Sequence, residues 1–237
     1  MSGTEPEHRP HAPLAIPRDW TFKNLAIAEA FDRHVREQLP WYDLATGVVA
    51  HFARHYIPQG GLVYDIGAST GNVGRAIADT LASRKALFVG IEPSKEMAAK
   101  YSGPGKLSVT DACGYNYKPF DFGVCFLVLM FLAPDLRRDL LRKLRSKLKP
   151  GGAIVVFDKC QPVAGYAAVA MQRLTLAGKV SAGVDSREII AKELSLAGAQ
   201  RPIAPSELPR CAVEIFRFGE FAGWLIEGAY PDADLET

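Results

Sequence analysis

Residues 63–78 read VYDIGASTGNVGRAIA, and they hold the densest group of residues suited to chemistry in the chain. A short apolar run ends in Asp65, and Gly67, Gly71 and Gly74 follow, with Ala68 and Ser69 after the first glycine. Glycine lets a backbone turn sharply and lets a ligand come close to the main chain. A helix that begins after such a turn offers unpaired N–H groups. This pattern points to a cradle for a polar, nucleotide-like ligand, set against a tight turn that holds nothing. A phosphate-binding loop would need Gly-Lys-Ser/Thr, and this chain has Gly71-Asn72-Val73. A dinucleotide fingerprint would place a glycine where Ser69 stands.

A second acid, Glu92, closes the next apolar run and is followed by Pro93. A carboxylate there can accept both hydroxyls of a ribose. Asp111-Ala112 closes a third run and suits an adenine amino group, or else a turn. Near the strand ends, Tyr42, Asp158 and Lys159 are candidates for moving a proton, with Tyr166 and Arg173 from a later segment. They form no diagnostic constellation. His51 and His55 share a helix face but lack a third ligand, so a packing or surface role is expected and no metal site. Arg137, Arg138, Arg142, Lys143, Arg145, Lys147 and Lys149 make one helix basic. A solvated face is the expected reading, and a phosphate-rich partner such as tRNA is the alternative.

Elements of definite kind must position these residues. The chain has 237 residues, 48% of them apolar, and a net charge of +2. That allows one sizeable core and gives no overall pull toward nucleic acid or membrane. The longest apolar run, residues 122–133, is too short to span a bilayer. Four scattered cysteines (Cys113, Cys125, Cys160, Cys211) fit reduced thiols in the cytoplasm. Helices are expected at 26–39 and 44–57, ended by Pro40 and Pro58. Strands then alternate with helices: strand 61–67, helix 72–84, strand 86–92, helix 94–101, strand 107–112, a strand within 120–132, helix 134–149, a Pro150-Gly151-Gly152 turn and strand 153–159. Such alternation implies a parallel sheet covered on both faces. Residues 212–218 and 220–227 read as an antiparallel hairpin at the sheet edge.

These features together resemble the class I S-adenosylmethionine-dependent methyltransferases: the Asp65 and glycine turn, acids closing the second and third strands, a buried fourth strand, the Pro-Gly-Gly turn and the terminal hairpin. The resemblance implies an α/β Rossmann-like fold with a seven-stranded, mostly parallel sheet, a C-terminal antiparallel hairpin and a helical cap. It implies S-adenosylmethionine or S-adenosylhomocysteine as cofactor, held by Tyr42, Asp65, Gly67, Ala68, Ser69, Gly71, Glu92, Pro93, Asp111, Ala112 and Phe126. Expected boundaries are a flexible tail at 1–18, helices covering the site at 19–59, the binding domain at 60–227 with a cap at 160–211, and a tail at 228–237.

Within that superfamily, Asp19-Trp20-Thr21-Phe22, AEAFDRHVREQLPWYD, MFLAPDLRRDLLRKLRSKLKPGGAIVVFDK and Phe216-Arg217-Phe218-Gly219 resemble carboxy-S-adenosylmethionine synthases. Those enzymes use S-adenosylmethionine and prephenate. The likeness implies Tyr42 over the sulfonium end of the cofactor, and a homodimer. An arginine that holds the extra carboxylate in that family corresponds to Leu194 here, with Lys192, Arg187 or Arg201 as substitutes, and a family asparagine corresponds to Phe126. The cofactor half is retained while the reacting half is altered. The sequence therefore favours a methyltransferase with a small-molecule or nucleotide acceptor, with Tyr42 and Lys159 as candidate catalytic groups. The alternatives are carboxy-S-adenosylmethionine synthesis, use of that product, or a cofactor-binding subunit that does no chemistry.

Overall fold

The computed structural model describes residues 14–161 and 164–228. Most of the first expected tail and all but Gly228 of the last lie outside these residues. Leu14 and Ile16, at the end of the first, pack against Trp20, Ile27 and Leu196.

Two helices come first, α1 (Leu25–Gln38) and α2 (Tyr42–Tyr56). Asn24 starts α1 by accepting the amides of Ala26 and Ile27 on its side chain, which satisfies two donors that have no partner inside the helix. Pro40 stands between the helices, as expected. Next come β1 (Leu62–Ile66), α3 (Asn72–Ala76), α4 (Ala78–Ser83), β2 (Leu87–Glu92), α5 (Lys95–Ala98) and β3 (Lys106–Val109). After these come β4 (Phe120–Phe126), α6 (Pro134–Lys147), β5 (Leu148–Lys159), α7 (Tyr166–Ser181), α8 (Ser186–Ser195), β6 (Val213–Phe218) and β7 (Phe221–Glu227).

The seven strands form one sheet in the order β3-β2-β1-β4-β5-β7-β6. Strands β1 to β5 pair in parallel, and β7 runs antiparallel to both β5 and β6. The expected sheet and terminal hairpin are therefore present. Every residue of β4 is buried, which explains its unbroken apolar sequence. One core layer joins α2 to Val63, Phe122, Val124, Val155 and Phe157. The other joins α6 to Tyr64, Ile66, Phe120, Ile154 and Val156.

Three expected elements differ in form. The helix expected at 72–84 is two pieces that meet at Ile77, although helical hydrogen bonds continue across it from Ile77 N to Val73 O and from Leu81 N to Ile77 O. The helix expected to 101 stops at Ala98, because Ser102 N donates to Thr70 O and draws the chain toward the glycine turn. The Pro-Gly-Gly turn lies inside β5, where Gly151 takes φ +73° and the register with β4 slips between Phe120 and Phe122.

Chain order reverses between β1 and β4: the chain proceeds outward through β2 and β3, then returns to the other side of β1. In open α/β sheets ligands collect at the carboxyl ends of the strands flanking such a point. Asp65, Glu92 and Phe126 lie at or beside those ends.

Candidate functional site

Gly67 and Gly71 adopt φ +73° and +94°, conformations that L side chains rarely take. A Cβ on Gly67 would come within 2.6 Å of the Val128 side chain, and one on Gly71 within 2.6 Å of Gly103 N. Both positions need glycine. Ser69 between them also lies in the left-handed region, at φ 52°, and its amide donates to Glu92 at 2.9 Å. The other Glu92 oxygen accepts the Ser94 amide at 2.9 Å. Glu92 thus ties the glycine turn to the end of β2. Burial raises its pKa, and the two amides partly offset that rise.

Asp65 is 1% exposed. Its Oδ2 and the Ser69 hydroxyl are buried without a hydrogen-bond partner. Burial, together with the nearby Glu92 carboxyl, pushes the Asp65 pKa up to about 8. Orphaned polar atoms in a cleft cost stability unless something else satisfies them. Their residues, Asp65 and Ser69, border a cavity of about 270 Å³ that Tyr42, Gly67, Ala68, Glu92, Pro93 and Phe126 also line. Tyr42 heads α2 and sets its ring edge-on to Phe126, with centroids 5.3 Å apart. Burial and Asp32 raise its phenol pKa well above the usual range, which keeps the hydroxyl protonated.

Other expected residues lie elsewhere. Asp111 is exposed, and its carboxylate accepts the amides of Cys113 and Gly114 at 2.8 and 3.2 Å, as a turn acid does. Ala112 packs in the core beneath the sheet. Neither lines the cavity. Tyr166 and Arg173 are exposed on α7. Asp158 is fully buried and accepts the amides of Leu129, Met130 and Lys159, so it fixes the loop after β4. His51 and His55 contact each other with ring centroids 4.8 Å apart, and no metal-holding group of side chains occurs among the described residues.

Sequence reasoning expected residues 19–59 to cover the site but did not name Phe22, Phe31, Asp32 or Arg36 as its wall, and it missed a second chamber. Phe22 and Phe31 close the cavity from the side of α1. Asp32 on α1 accepts the Thr70 hydroxyl at 2.5 Å and Arg75 at 3.0 Å, and Arg36 donates to Asn72 at 2.9 Å. These bonds clasp α1 onto the glycine turn. Beyond Phe22, Phe31, Leu127 and Phe131, which border both spaces, lies a chamber of about 100 Å³ between α1, β5, α7 and α8. Its polar wall holds His34, Gln38, Lys159, Lys179, Lys192 and Glu193. Lys159, the expected catalytic group, therefore faces the chamber and does not line the glycine-turn cavity. Among the expected substitutes for the missing arginine, Lys192 lines this chamber, and Arg187 and Arg201 do not. Burial lowers the His34 pKa to about 4, with Lys192 when it is protonated, Arg33 and Lys179 adding to the shift, which keeps the imidazole neutral.

With this geometry in view, residues 64–154 match a family described as a methyltransferase domain. Fold, cradle and match support the class I S-adenosylmethionine-dependent methyltransferase superfamily, and with it a transferase that uses S-adenosylmethionine as cofactor. It is similar to the carboxy-S-adenosyl-L-methionine synthase of Staphylococcus epidermidis, 24% identical over 192 residues that cover 79% of this chain and 84% of the relative. The enzyme of that name from Wolinella succinogenes is 26% identical over 215 residues, covering 84% and 90%. Among solved structures, the plantazolicin methyltransferase BpumL in complex with SAH superposes with a TM-score of 0.58 at 15% identity, covering 86% of this chain and 89% of that one. An S-adenosylmethionine-dependent methyltransferase from Clostridium acetobutylicum gives 0.53 at 11% identity, covering 85% and 99%. At these identities the superpositions show the fold.

The residues present fit S-adenosylmethionine. The cavity combines apolar walls, a glycine turn open to close approach, and buried acceptors without partners. Among the described residues no helix is long and apolar enough to cross a membrane.

Proposed function

We propose that this chain transfers a group from S-adenosylmethionine to a small acceptor held in the chamber beside the cofactor cradle. The observation that carries the proposal is the common wall. Phe22, Phe31, Leu127 and Phe131 border both spaces, so a ligand in the chamber lies next to one in the cradle. S-adenosylmethionine supplies an alkyl group already activated on a sulfonium. The chain's own residues hold and orient. Asp65 offers a free carboxylate oxygen to a cationic ammonium, and Glu92 stands at the β2 end where ribose hydroxyls fit. Tyr42 presents an aromatic face, which attracts a cation. Transfer of an activated methyl needs chiefly alignment and exclusion of water, and the apolar walls supply both.

The test is calorimetric titration with S-adenosylhomocysteine, followed by single-turnover assays with methyl-labelled cofactor and pooled small-molecule acceptors. Binding that weakens at least about tenfold in Glu92→Ala supports the cradle, in line with loss of a charge-assisted hydrogen bond. Equal affinity in wild type, Asp65→Ala and Glu92→Ala would remove it.

A second reading, carboxy-S-adenosylmethionine synthesis, is favoured by the relatives that share most of the chain's length. The chamber's cations, Lys159, Lys179 and Lys192, would then stand in for the absent arginine. Incubation with S-adenosylmethionine and prephenate, followed by mass spectrometry, decides it: the carboxylated cofactor supports this reading, and unchanged cofactor under saturating prephenate ends it.

A further inference from the structure

The three chamber lysines are not equivalent. Lys159 lies 3.7 Å from Glu193 and 4.0 Å from Glu220, and Lys179 donates to Glu193 at 2.8 Å. Both are held as charges by partners. Lys192 is 8% exposed, lines the chamber, and makes no hydrogen bond or ion pair among the described residues. Its amine rests against the face of Trp20. Glu188 and Glu193 lie near it but neither bonds it, so burial of the ammonium is costly, and the usual relief is loss of its proton.

We propose that Lys192 is a nucleophilic amine that forms a reversible imine with an aldehyde or ketone entering the chamber. This rests on the reading of the chamber as the acceptor compartment. The Nζ lone pair adds to the carbonyl carbon, and the carbonyl π pair moves to oxygen, which takes a proton. The resulting carbinolamine loses its hydroxyl as water while nitrogen gives up its protons and forms the C=N bond. One amine and one carbonyl thus give one imine and one water, with no oxidant or reductant required.

The surroundings suit this role. A lysine becomes nucleophilic when it is desolvated beside another cation. Burial and the neighbouring Lys179 cation lower the Lys192 pKa to about 6, against a smaller opposing pull from Glu188 and Glu193. The groups facing it are therefore Lys179 from α7, Glu188 and Glu193 from α8, and neutral His34 from α1. His34, whose two ring nitrogens have no hydrogen-bond partner, has a ring N–H to donate to the carbonyl oxygen, and Gln38, whose Oε1 is also unpartnered, can accept from the carbinolamine hydroxyl. Trp20, Phe22 and Phe131 accept an apolar body.

The test is reductive trapping. The full chain, with S-adenosylhomocysteine present, is incubated with benzaldehyde and sodium cyanoborohydride at pH 7, and modified lysines are mapped by peptide mass spectrometry. Lys192 is expected to be labelled at least about tenfold faster than exposed lysines, since near pH 7 it is mostly unprotonated and they are not. Labelling distributed according to exposure, with Lys192 no faster than Lys85 or Lys147, would overturn the proposal. Mapping uses the wild-type chain, so the result does not depend on a variant that folds. Lys192→Met should abolish the fast phase while still binding S-adenosylhomocysteine, and a fast phase that persists would also overturn the proposal. Loss of cofactor binding in wild type would count against the functional reading, whereas selective labelling addresses Lys192 alone.

Discussion

On the proposed reading, Asp65 makes cofactor binding depend on pH through its proton. Its pKa is pushed up to about 8, because burial and Glu92 disfavour the anion. The unfolded chain gives up this proton near pH 4. Between those values the folded state binds more protons, so the Asp65 contribution to stability falls as pH rises from about 4 through 8. A cationic ligand reverses the preference and favours the anion, so binding releases a proton below pH 8. S-adenosylmethionine affinity should therefore rise between pH 6 and 8, by up to about tenfold per unit, and level off above. Titration calorimetry in buffers of different ionisation enthalpy reads the released proton directly. Asp65→Asn should bind more weakly and lose the buffer dependence. At Gly71, alanine would meet Gly103 N and adopt a disfavoured φ. We expect Gly71→Ala to cost about 2 kcal/mol or more by urea denaturation and to abolish binding. An alanine variant as stable as wild type would mean that the turn is not held as described.

At the scale of elements, α6 shows why part of the site was hidden in the sequence. Six of the seven basic residues read as one helix lie there, Lys149 falling in β5, and they suggested a solvated face. Arg137 instead is 2% exposed, on the same face as Leu140, Leu141 and Leu144. Its guanidinium forms a bidentate pair with Glu207 and donates to the carbonyls of Arg201 and Pro202. The spacing of three, four and seven positions was available as a signal, but the count of charges masked it. Lys192 is similar, since Ile189, Ser195 and Leu196 share its buried face. The glycine turn, Glu92, the sheet and the hairpin were legible because each is carried by a short contiguous stretch. The chamber was not, because its wall draws Trp20, Lys159, Lys179 and Lys192 from separate elements. Asp111 misled for a local reason: its carboxylate is taken by its own turn. Arg137→Met leaves the partly buried Glu207 carboxylate without its cation, and we expect a loss of about 2–3 kcal/mol. Faster hydrogen exchange should be confined to residues 201–208 and the adjoining end of α6. Unchanged exchange there would contradict this anchoring.

For the molecule as a whole, the N-terminal helices and the cap close over the sheet from two sides. Residues of α1 contact the glycine turn through Asp32 and Arg36, and contact α8 through Gln38, which donates to Glu188 at 2.9 Å. Ligands on both sides of the shared aromatic wall therefore act on the same helix. Saturation with S-adenosylhomocysteine at about a hundred times its dissociation constant should stabilise the fold by about 2.7 kcal/mol. For a chain of this size that corresponds to roughly 5–10 °C in Tm. A shift that disappears in Asp32→Ala while weaker binding persists would show that α1 closure, and not contact alone, carries the stabilisation. A shift of the same size in Asp32→Ala would place the stabilisation in the sheet and cradle.

The most direct measurement is to denature the freshly purified chain and weigh what it releases by mass spectrometry. If little is released, the chain is titrated with S-adenosylhomocysteine. S-adenosylmethionine, S-adenosylhomocysteine or the carboxylated cofactor in the released fraction, or saturable binding that depends on Asp65 and Glu92, is the predicted result. A nicotinamide or flavin nucleotide released in its place, or no binding at millimolar S-adenosylhomocysteine, would contradict the account.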